Sequence, residues 1–129
     1  MPFYTGAVTY RINPGDYGHI AFENADRIVL SPVDHVGGCA KVSALGKTVV
    51  LGWEPYEADV TEAFRKKAPI DVTVVGTRRN VFGPLHQYPT LAGGCGPGDF
   101  VTDGEWWTDS YSLIPSGLRG FAFKAQIKK

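Results

Sequence analysis

The sequence lacks a long apolar run and lacks an excess of charge of either sign. A membrane-spanning helix needs roughly 20 consecutive apolar residues, and no apolar run in this sequence approaches that length. Residues 1–12 show neither the basic start nor the apolar block of a secretory signal, so we expect no such signal in this chain. Lysine plus arginine equals aspartate plus glutamate, at 13 each, which argues against nucleic acid or an anionic membrane as the main partner.

Cysteine is also scarce, and its spacing is not that of a metal or redox motif. Cys39 and Cys95 are the two cysteines. Either the two form a disulfide, or both are free thiols, with Cys39 buried on a strand and Cys95 in a loop where it has no particular role. No histidine or cysteine pair has the spacing of a transition-metal site. Structural calcium is possible if loop carboxylates converge, and solvated charges are the alternative; the carboxylates concerned are Asp99, Asp103 and Asp109.

The composition favours short strands joined by tight turns. The chain of 129 residues contains 16 glycines and nine prolines, together with many of the β-branched and aromatic residues that suit strands. This length is that of one domain, which we place at residues 1–129. Apolar residues alternate with polar ones in most segments. This alternation predicts strands at residues 3–12, 19–22, 27–30, 39–44, 48–51, 70–75, 111–114 and 121–127.

Helical signals are confined to one short segment. Residues 62–67 are predicted to form a single helical turn, with Asp59 or Thr61 as its cap. Eight short strands and one helical turn indicate an all-β chain. The sequence therefore predicts an antiparallel β-sandwich, most simply a jelly roll.

The most informative stretch runs from residue 70 to residue 86. A predicted strand is followed by the polar cluster Thr77-Arg78-Arg79-Asn80, then by Val81-Phe82, a Gly83-Pro84 turn and His86. A loop that carries two arginines between apolar anchors either recognises a ligand or joins two segments of the fold.

This stretch, GTRRN-x-FGPLH at residues 76–86, resembles a motif in accessory domains of bacterial glycoside hydrolases, near the sugar-binding jelly roll of glycoside hydrolase family 2. Gly46-Lys47, residues 55–61 and the opening residues 3–6 with Tyr10 are similar to further segments of such domains. The resemblance covers roughly residues 3–118, and residues 43–46 depart from it by lacking the Asn of the usual turn. It implies a galactose-binding-like sandwich that belongs to a larger multidomain enzyme.

Loop aromatics are the first candidates for contact with a sugar. Trp53, Trp106 and Trp107 lie in or beside predicted loops, as do Tyr56 and Tyr88. An exposed indole offers a flat apolar platform to the CH face of a sugar, whereas a buried one would fill an end of the core. Adjacent strand residues face opposite sides, so at most one of Trp106 and Trp107 is expected in the core.

Polar candidates come from the central stretch. Arg78, Arg79 and Asn80 could donate hydrogen bonds to sugar hydroxyls or to a sugar carboxylate. The alternative is that one arginine anchors loops by pairing with a carboxylate, which would be that of Asp59, Glu54 or Glu57. Asn80 would then only stabilise the turn. His86 could bind sugar or be a structural histidine.

No catalytic motif is recognisable. A glycosidase needs two carboxylates that flank the scissile bond, and the acids near the loops do not form a distinctive set. There is no nucleophile elbow. The GGCGPG segment at residues 93–98 lacks the Lys-Ser/Thr ending of a phosphate loop. We therefore expect a non-enzymatic chain, and a small stand-alone enzyme is the least favoured option.

Two functional hypotheses remain open. The first is a non-catalytic carbohydrate-binding module attached to a glycoside hydrolase; the second is a structural accessory domain that packs on the catalytic domain and binds no sugar. The expected partners are a carbohydrate and the parent catalytic domain. Under the first hypothesis, the arginine loop and the Trp106-Trp107 pair meet at one end or edge of the sandwich, with Trp53 nearby.

Overall fold

A computed structural model describes residues 3–17, 20–91 and 94–128. In these residues the chain forms seven strands, all paired antiparallel, in two sheets. The strands are β1 (Ala7–Ile12), β2 (Arg27–Val33), β3 (Cys39–Ala44), β4 (Lys47–Leu51), β5 (Ala58–Asp59), β6 (Ile70–Val75) and β7 (Gly120–Gln126). The short helices are α1 (Ile20–Glu23), α2 (Thr61–Arg65) and α3 (Arg79–Phe82), with 3-10 turns at Pro14–Asp16 and Pro97–Asp99.

The four-stranded sheet has the order β1-β6-β3-β4. Its central strand β6 buries Ile70, Val72 and Val74 and leaves the intervening residues half-buried. This is the period-two pattern of a strand with one face on the core. Ala40 pairs with Val74 on one side and with Leu51 on the other, which fixes the register of the three strands.

The three-stranded sheet has the order β5-β2-β7, and it shares a core with the larger sheet. Ile28 and Leu30 of β2 belong to the same buried cluster as Val42, Ile70 and Val72 of the four-stranded sheet. Each fully buried aliphatic side chain of this kind contributes about 1.5–3 kcal/mol relative to an exposed one. The two sheets are therefore held together by one apolar core.

Aromatic rings extend this core toward the short helices. Phe22 of α1 lies 5.1 Å from Phe64 of α2, and Phe64 lies 5.2 Å from Phe123 of β7 (centroid to centroid).

The strand predicted at residues 19–22 is wrong for its described part, because residues 20–23 form α1. His19 lies outside the described residues. A short apolar run does not distinguish a strand from a buried helical turn.

The segment before α2 is tied to the three-stranded sheet by a small polar network. Asp59 Oδ1 accepts hydrogen bonds from Thr61 N, at 3.0 Å, and from Thr61 Oγ1, at 2.6 Å. Thr61 Oγ1 in turn accepts a hydrogen bond from Ile28 N at 2.9 Å. The bond from the Thr61 hydroxyl, with the contribution of Arg27, lowers the pKa of Asp59. The first residue of α2 and its approach are thus fixed to β2.

Other predictions have mixed outcomes. Strands 39–44 and 70–75 are confirmed to the residue, and β2 runs three residues further than expected, to Val33. The strand predicted at residues 111–114 is wrong, because that segment is irregular. The expectation of one helical turn is also wrong, since α1 and α3 accompany α2. Cys39 and Cys95 are both free thiols.

In the described parts of the chain, no helix is long and apolar enough to cross a membrane.

Candidate ligand-binding surface

Arg79, in α3, holds the loop that follows it. Its Nε donates to the Leu91 carbonyl oxygen at 3.1 Å, and its Nη1 donates to the Pro84 carbonyl oxygen at 3.0 Å. A Cβ on Gly83 would lie 2.6 Å from Arg79 Nη1 and 2.5 Å from the Arg79 carbonyl oxygen, so this position requires glycine. The alternative expectation is that an arginine anchors loops by pairing with a carboxylate. Arg79 does anchor loops, but it binds carbonyl oxygens and not a carboxylate.

Asn80 joins α3 to a segment 34 residues further along the chain. The residue is only 4% exposed. Its Nδ2 donates to the Ile114 carbonyl oxygen at 2.9 Å, and its Oδ1 accepts a hydrogen bond from Ile114 N at 2.9 Å. The side-chain amide therefore pairs with Ile114 as a neighbouring strand would, and this explains how an irregular segment satisfies its backbone.

Arg78, immediately before α3, is exposed. Within the part of the chain that the structure describes, its side chain forms no hydrogen bond or ion pair. Of the three polar candidates in this motif, Arg79 and Asn80 are thus internal clamps and Arg78 faces solvent.

Residues 86–88 and 106–108 run side by side as a short antiparallel ribbon. Gln87 bridges to Trp107. Tyr88 N donates to the Trp106 carbonyl oxygen at 2.8 Å, and Thr108 N donates to the His86 carbonyl oxygen at 2.8 Å. This pairing sets Tyr88 and Trp106 opposite each other on neighbouring segments. The ribbon brings the two ends of the long 87–104 loop together.

His86 is a structural part of this ribbon. Its Nδ1 lies 3.0 Å from the Thr108 carbonyl oxygen. A carbonyl oxygen can only accept, so Nδ1 carries the proton in this contact. The imidazole ring lies 6.0 Å from the Trp107 ring at an interplanar angle of 15°, and 5.3 Å from the Tyr111 ring. His86 therefore stacks against Trp107, which follows Trp106 in the sequence.

The interior of the 87–104 loop is held by further polar contacts. Gln87 Nε2 donates to Asp99 Oδ1 at 3.4 Å, and Asp99 Oδ2 accepts a hydrogen bond from Gly96 N at 2.6 Å. Ser112 Oγ donates to the Gln87 carbonyl oxygen. Asp99 therefore closes a turn of the loop. In the described residues, no three histidine, cysteine or acidic side chains are grouped so as to hold a metal ion.

The three tryptophans are all accessible at the surface. Trp53 is 80% exposed, Trp106 is 53% exposed and Trp107 is 39% exposed. Tyr88, opposite Trp106, is 67% exposed. Neither Trp106 nor Trp107 fills the core, so an aromatic role at the surface remains available to both. Sequence patterns alone gave no reason to pair Tyr88 with Trp106, because the pairing depends on the closure of a long irregular loop.

Trp53 lies at the same end of the four-stranded sheet as the arginine loop. Leu51 and Val74 both pair with Ala40, so the segments that follow β4 and β6 leave the sheet at one end. Strand β3 separates them, and neighbouring strands lie about 4.8 Å apart. The structure thus brings the arginine loop and the Trp106-Trp107 segment into one connected region, while Trp53 follows a strand two positions away.

A larger hollow lies elsewhere on the described surface. It has a volume of about 1030 Å³ and is formed between the β3–β4 hairpin and α2, at the opposite end of the sheet. The Arg27–Asp59 ion pair, at 2.9 Å, forms part of its wall. A smaller hollow of about 300 Å³ is lined by His86, Asp99 and Phe100. Its volume favours the hollow beside α2 as a ligand site. The accessible aromatic rings and the anchored loops favour the surface around residues 86–107 instead.

Comparison of the chain with protein-family models, with curated proteins and with solved structures finds no match. The resemblance to glycoside hydrolase accessory domains therefore stays a prediction, and the functional assignment rests on the geometry of the surface.

Proposed function

We propose that this chain is a non-catalytic carbohydrate-binding domain that belongs to a glycoside hydrolase. The proposal includes a galactose-binding-like jelly roll as the finer description of the fold. Two antiparallel sheets with a common core support that architecture.

The observation that carries the proposal is the exposed pair Tyr88 and Trp106 on an anchored ribbon. Both rings are more than half exposed, although the backbone beneath them is hydrogen-bonded. Large rings of this kind supply apolar contact area and lose little conformational freedom on binding. They suit the apolar face of a sugar ring. Because each hydrogen bond to a sugar replaces one to water, stacking supplies much of the affinity, and weak binding is expected.

Arg79 and Asn80 have an indirect role in this proposal. Their side-chain groups bind the carbonyl oxygens of Leu91, Pro84 and Ile114. They therefore position the loops that present the aromatic pair, and Arg78 is the exposed donor of the motif. Polar contacts with the sugar come from Arg78 and from other exposed groups at the ribbon.

Two of the carboxylates near the loops are engaged in ion pairs. Glu57 forms an ion pair with Lys124, and Asp59 forms one with Arg27. A general acid of a glycosidase needs a raised pKa, whereas the pKa of Asp59 is lowered. The isolated chain is therefore proposed to perform no chemistry. Turnover of an aryl glycoside that survives repurification and disappears on substitution of one carboxylate would contradict this.

The test is a comparison of matched aromatic variants on a panel of glycans. Trp fluorescence and affinity electrophoresis should detect millimolar binding by the natural sequence. Tyr88→Ala and Trp106→Ala should abolish binding and leave the melting temperature unchanged. Trp53→Ala, which removes a more exposed indole outside the ribbon, is the control and should retain binding. Absence of a response to every glycan, or loss of binding only in the Trp53 variant, would contradict the proposal.

A second function is favoured by the spread of exposed rings beyond the ribbon. Trp53, Phe82, Phe100 and Tyr111 are also exposed. Aromatic residues are enriched in protein–protein interfaces, so a domain that packs on a catalytic domain would use such a surface. Co-sedimentation with the parent catalytic domain tests this. Binding that is lost in Trp53→Ala and Phe82→Ala, with no glycan affinity in the unmodified chain, would favour this second function.

A further inference from the structure

Charge is divided unevenly between two parts of the chain. Residues 80–118 contain four of the 13 acidic residues and none of the 13 lysines and arginines. This stretch therefore carries four negative charges, and the remainder of the neutral chain carries four positive charges. The acidic residues are Asp99, Asp103, Glu105 and Asp109.

Three of these carboxylates flank Trp106 in the sequence. Asp103, Glu105 and Asp109 are exposed and lie within three residues of Trp106 in sequence. None of them forms an ion pair or a hydrogen bond with a side chain in residues 3–17, 20–91 and 94–128. They are thus free to interact with a ligand at the ribbon.

Most of the neighbouring cations are already engaged. Arg79 donates to two carbonyl oxygens inside the loop, and Arg119 lies 3.4 Å from Asp34. Arg78 is the exposed cation at the border of the acidic stretch. The unpaired charge of the chain segment that carries Tyr88 and Trp106 is therefore mainly negative.

We infer that the Tyr88–Trp106 surface selects a cationic glycan, namely one built from amino sugars with free amino groups, over neutral and uronic-acid glycans. The inference rests on the proposed carbohydrate-binding function and names its ligand class. It is carried by charge complementarity on an exposed aromatic face.

Two physical effects favour an ammonium group here. An ammonium ion is attracted to the face of an indole or phenol ring, and the attraction is greatest for tryptophan. Exposed carboxylates add an attraction that salt weakens, and they repel the carboxylates of a uronic-acid chain. The aromatic pair supplies affinity for sugar rings, while the three acids discriminate between glycans of different charge.

The expected effects are modest for each carboxylate and larger for the set. Removal of one exposed ion pair typically changes an affinity by about threefold. The triple variant Asp103→Asn, Glu105→Gln, Asp109→Asn should therefore weaken binding of a glucosamine hexamer by at least about tenfold. Raising the salt from about 0.02 M to about 0.5 M should weaken binding of the natural sequence and have little effect on the triple variant.

The experiment is calorimetric titration of the full chain with four probes. These are a glucosamine hexamer, its fully N-acetylated form, a hexamer of galacturonic acid and an oligolysine peptide. The control triple variant is Asp16→Asn, Glu23→Gln, Glu62→Gln, which removes three exposed carboxylates outside residues 80–118. It should bind the glucosamine hexamer as the natural sequence does.

The inference is supported if the glucosamine hexamer binds more tightly than the other three probes and only the ribbon triple variant loses affinity. It is overturned if the acetylated hexamer binds equally well and the ribbon triple variant is unaffected, although sugar binding itself would then stand. Failure of all the hexamers and of the wider glycan panel would overturn sugar binding as well. Equal binding of oligolysine through the same residues would overturn the choice of a glycan.

Discussion

The two sheets and the loop region of residues 77–119 are stabilised in different ways. In the sheets, buried side chains such as Leu30 and Ile70 form one apolar core. In the loop region, side chains such as Arg79 and Asn80 bind backbone groups that have no strand partner. Exposed aromatic rings and unpaired carboxylates concentrate in the second region.

The two kinds of stabilisation differ in how precisely they position groups on the surface. Apolar burial is non-directional, so it stabilises the sheets without fixing any one surface group. Hydrogen bonds to specific carbonyl oxygens fix the course of an irregular loop, and through it the position of the rings on its surface. Substitutions that separate these two kinds of stabilisation test the comparison.

The largest loss is expected from Leu30→Ala in the core of the sheets. Leu30 is fully buried in β2. The lost transfer energy and the cavity should lower the free energy of unfolding by about 3–4 kcal/mol. Urea denaturation measures this value. The control Val50→Ala, at an exposed position of edge strand β4, should change it by less than about 0.5 kcal/mol. Equal losses for the two variants would contradict the assigned core.

A smaller but clear loss is expected from Asn80→Ala in the loop region. The substitution leaves the amide and carbonyl groups of Ile114 without their side-chain partner. Because Ile114 is half-buried, the loss of these two hydrogen bonds should lower the free energy of unfolding by about 1–3 kcal/mol. The neighbouring Arg78→Ala, at an exposed side chain, is the matched control and should have almost no effect. A stable Asn80→Ala variant would show that the loop is held by other contacts.

Gly83→Ala should sharpen the assignment of Arg79 as a clamp. The added methyl would overlap with the Arg79 guanidinium and carbonyl group. Such overpacking costs about 1–3 kcal/mol, and the displaced side chain should lose its bond to Pro84. Thermal denaturation detects the loss. Gly98→Ala is the control, because a Cβ there meets open space. An unchanged melting temperature for Gly83→Ala would contradict the close approach.

The smallest effect is a pH dependence that comes from Asp59. Bonds from Thr61 and Arg27 lower the pKa of this carboxyl in the folded protein. Its contribution is therefore complete above the unfolded pKa of about 3.9 and is lost as the pH falls through the lower folded value. Because the side chains of Arg27 and Asp59 are about half exposed, the effect should stay below about 1 kcal/mol. Asp59→Asn should flatten this part of the stability profile; an unchanged profile would contradict the assignment.

Regular strands could be predicted from the sequence because their information is local. The alternation in residues 70–75 and the turn at Gly46 identify β6 and the β3–β4 hairpin without knowledge of the rest of the chain. The one-turn helices α1 and α3 could not be predicted, because four residues give too short a pattern. Their conformation is set by tertiary contacts, such as that of Phe22 with Phe64.

The candidate site could be predicted in part. The sequence located the arginine loop and the tryptophans, and it predicted that segments on either side of the 87–104 loop would meet. The bond from Tyr88 to Trp106 joins these two segments. The sequence could not show that Arg79 and Asn80 bind the backbone of the chain and not a ligand. Their partners Leu91 and Ile114 carry no recognisable sequence signal.

Backbone hydrogen exchange at Ile114 tests the central claim most directly. The claim is that side-chain clamps hold an irregular loop region in one conformation, on which the aromatic surface is built. The Ile114 amide, bonded to Asn80 Oδ1 at 2.9 Å, should exchange slowly although it lies outside every strand and helix. It should lose this protection in Asn80→Ala and keep it in Arg78→Ala. Exchange of the Ile114 amide at the rate of an unstructured peptide in the natural sequence would contradict the account.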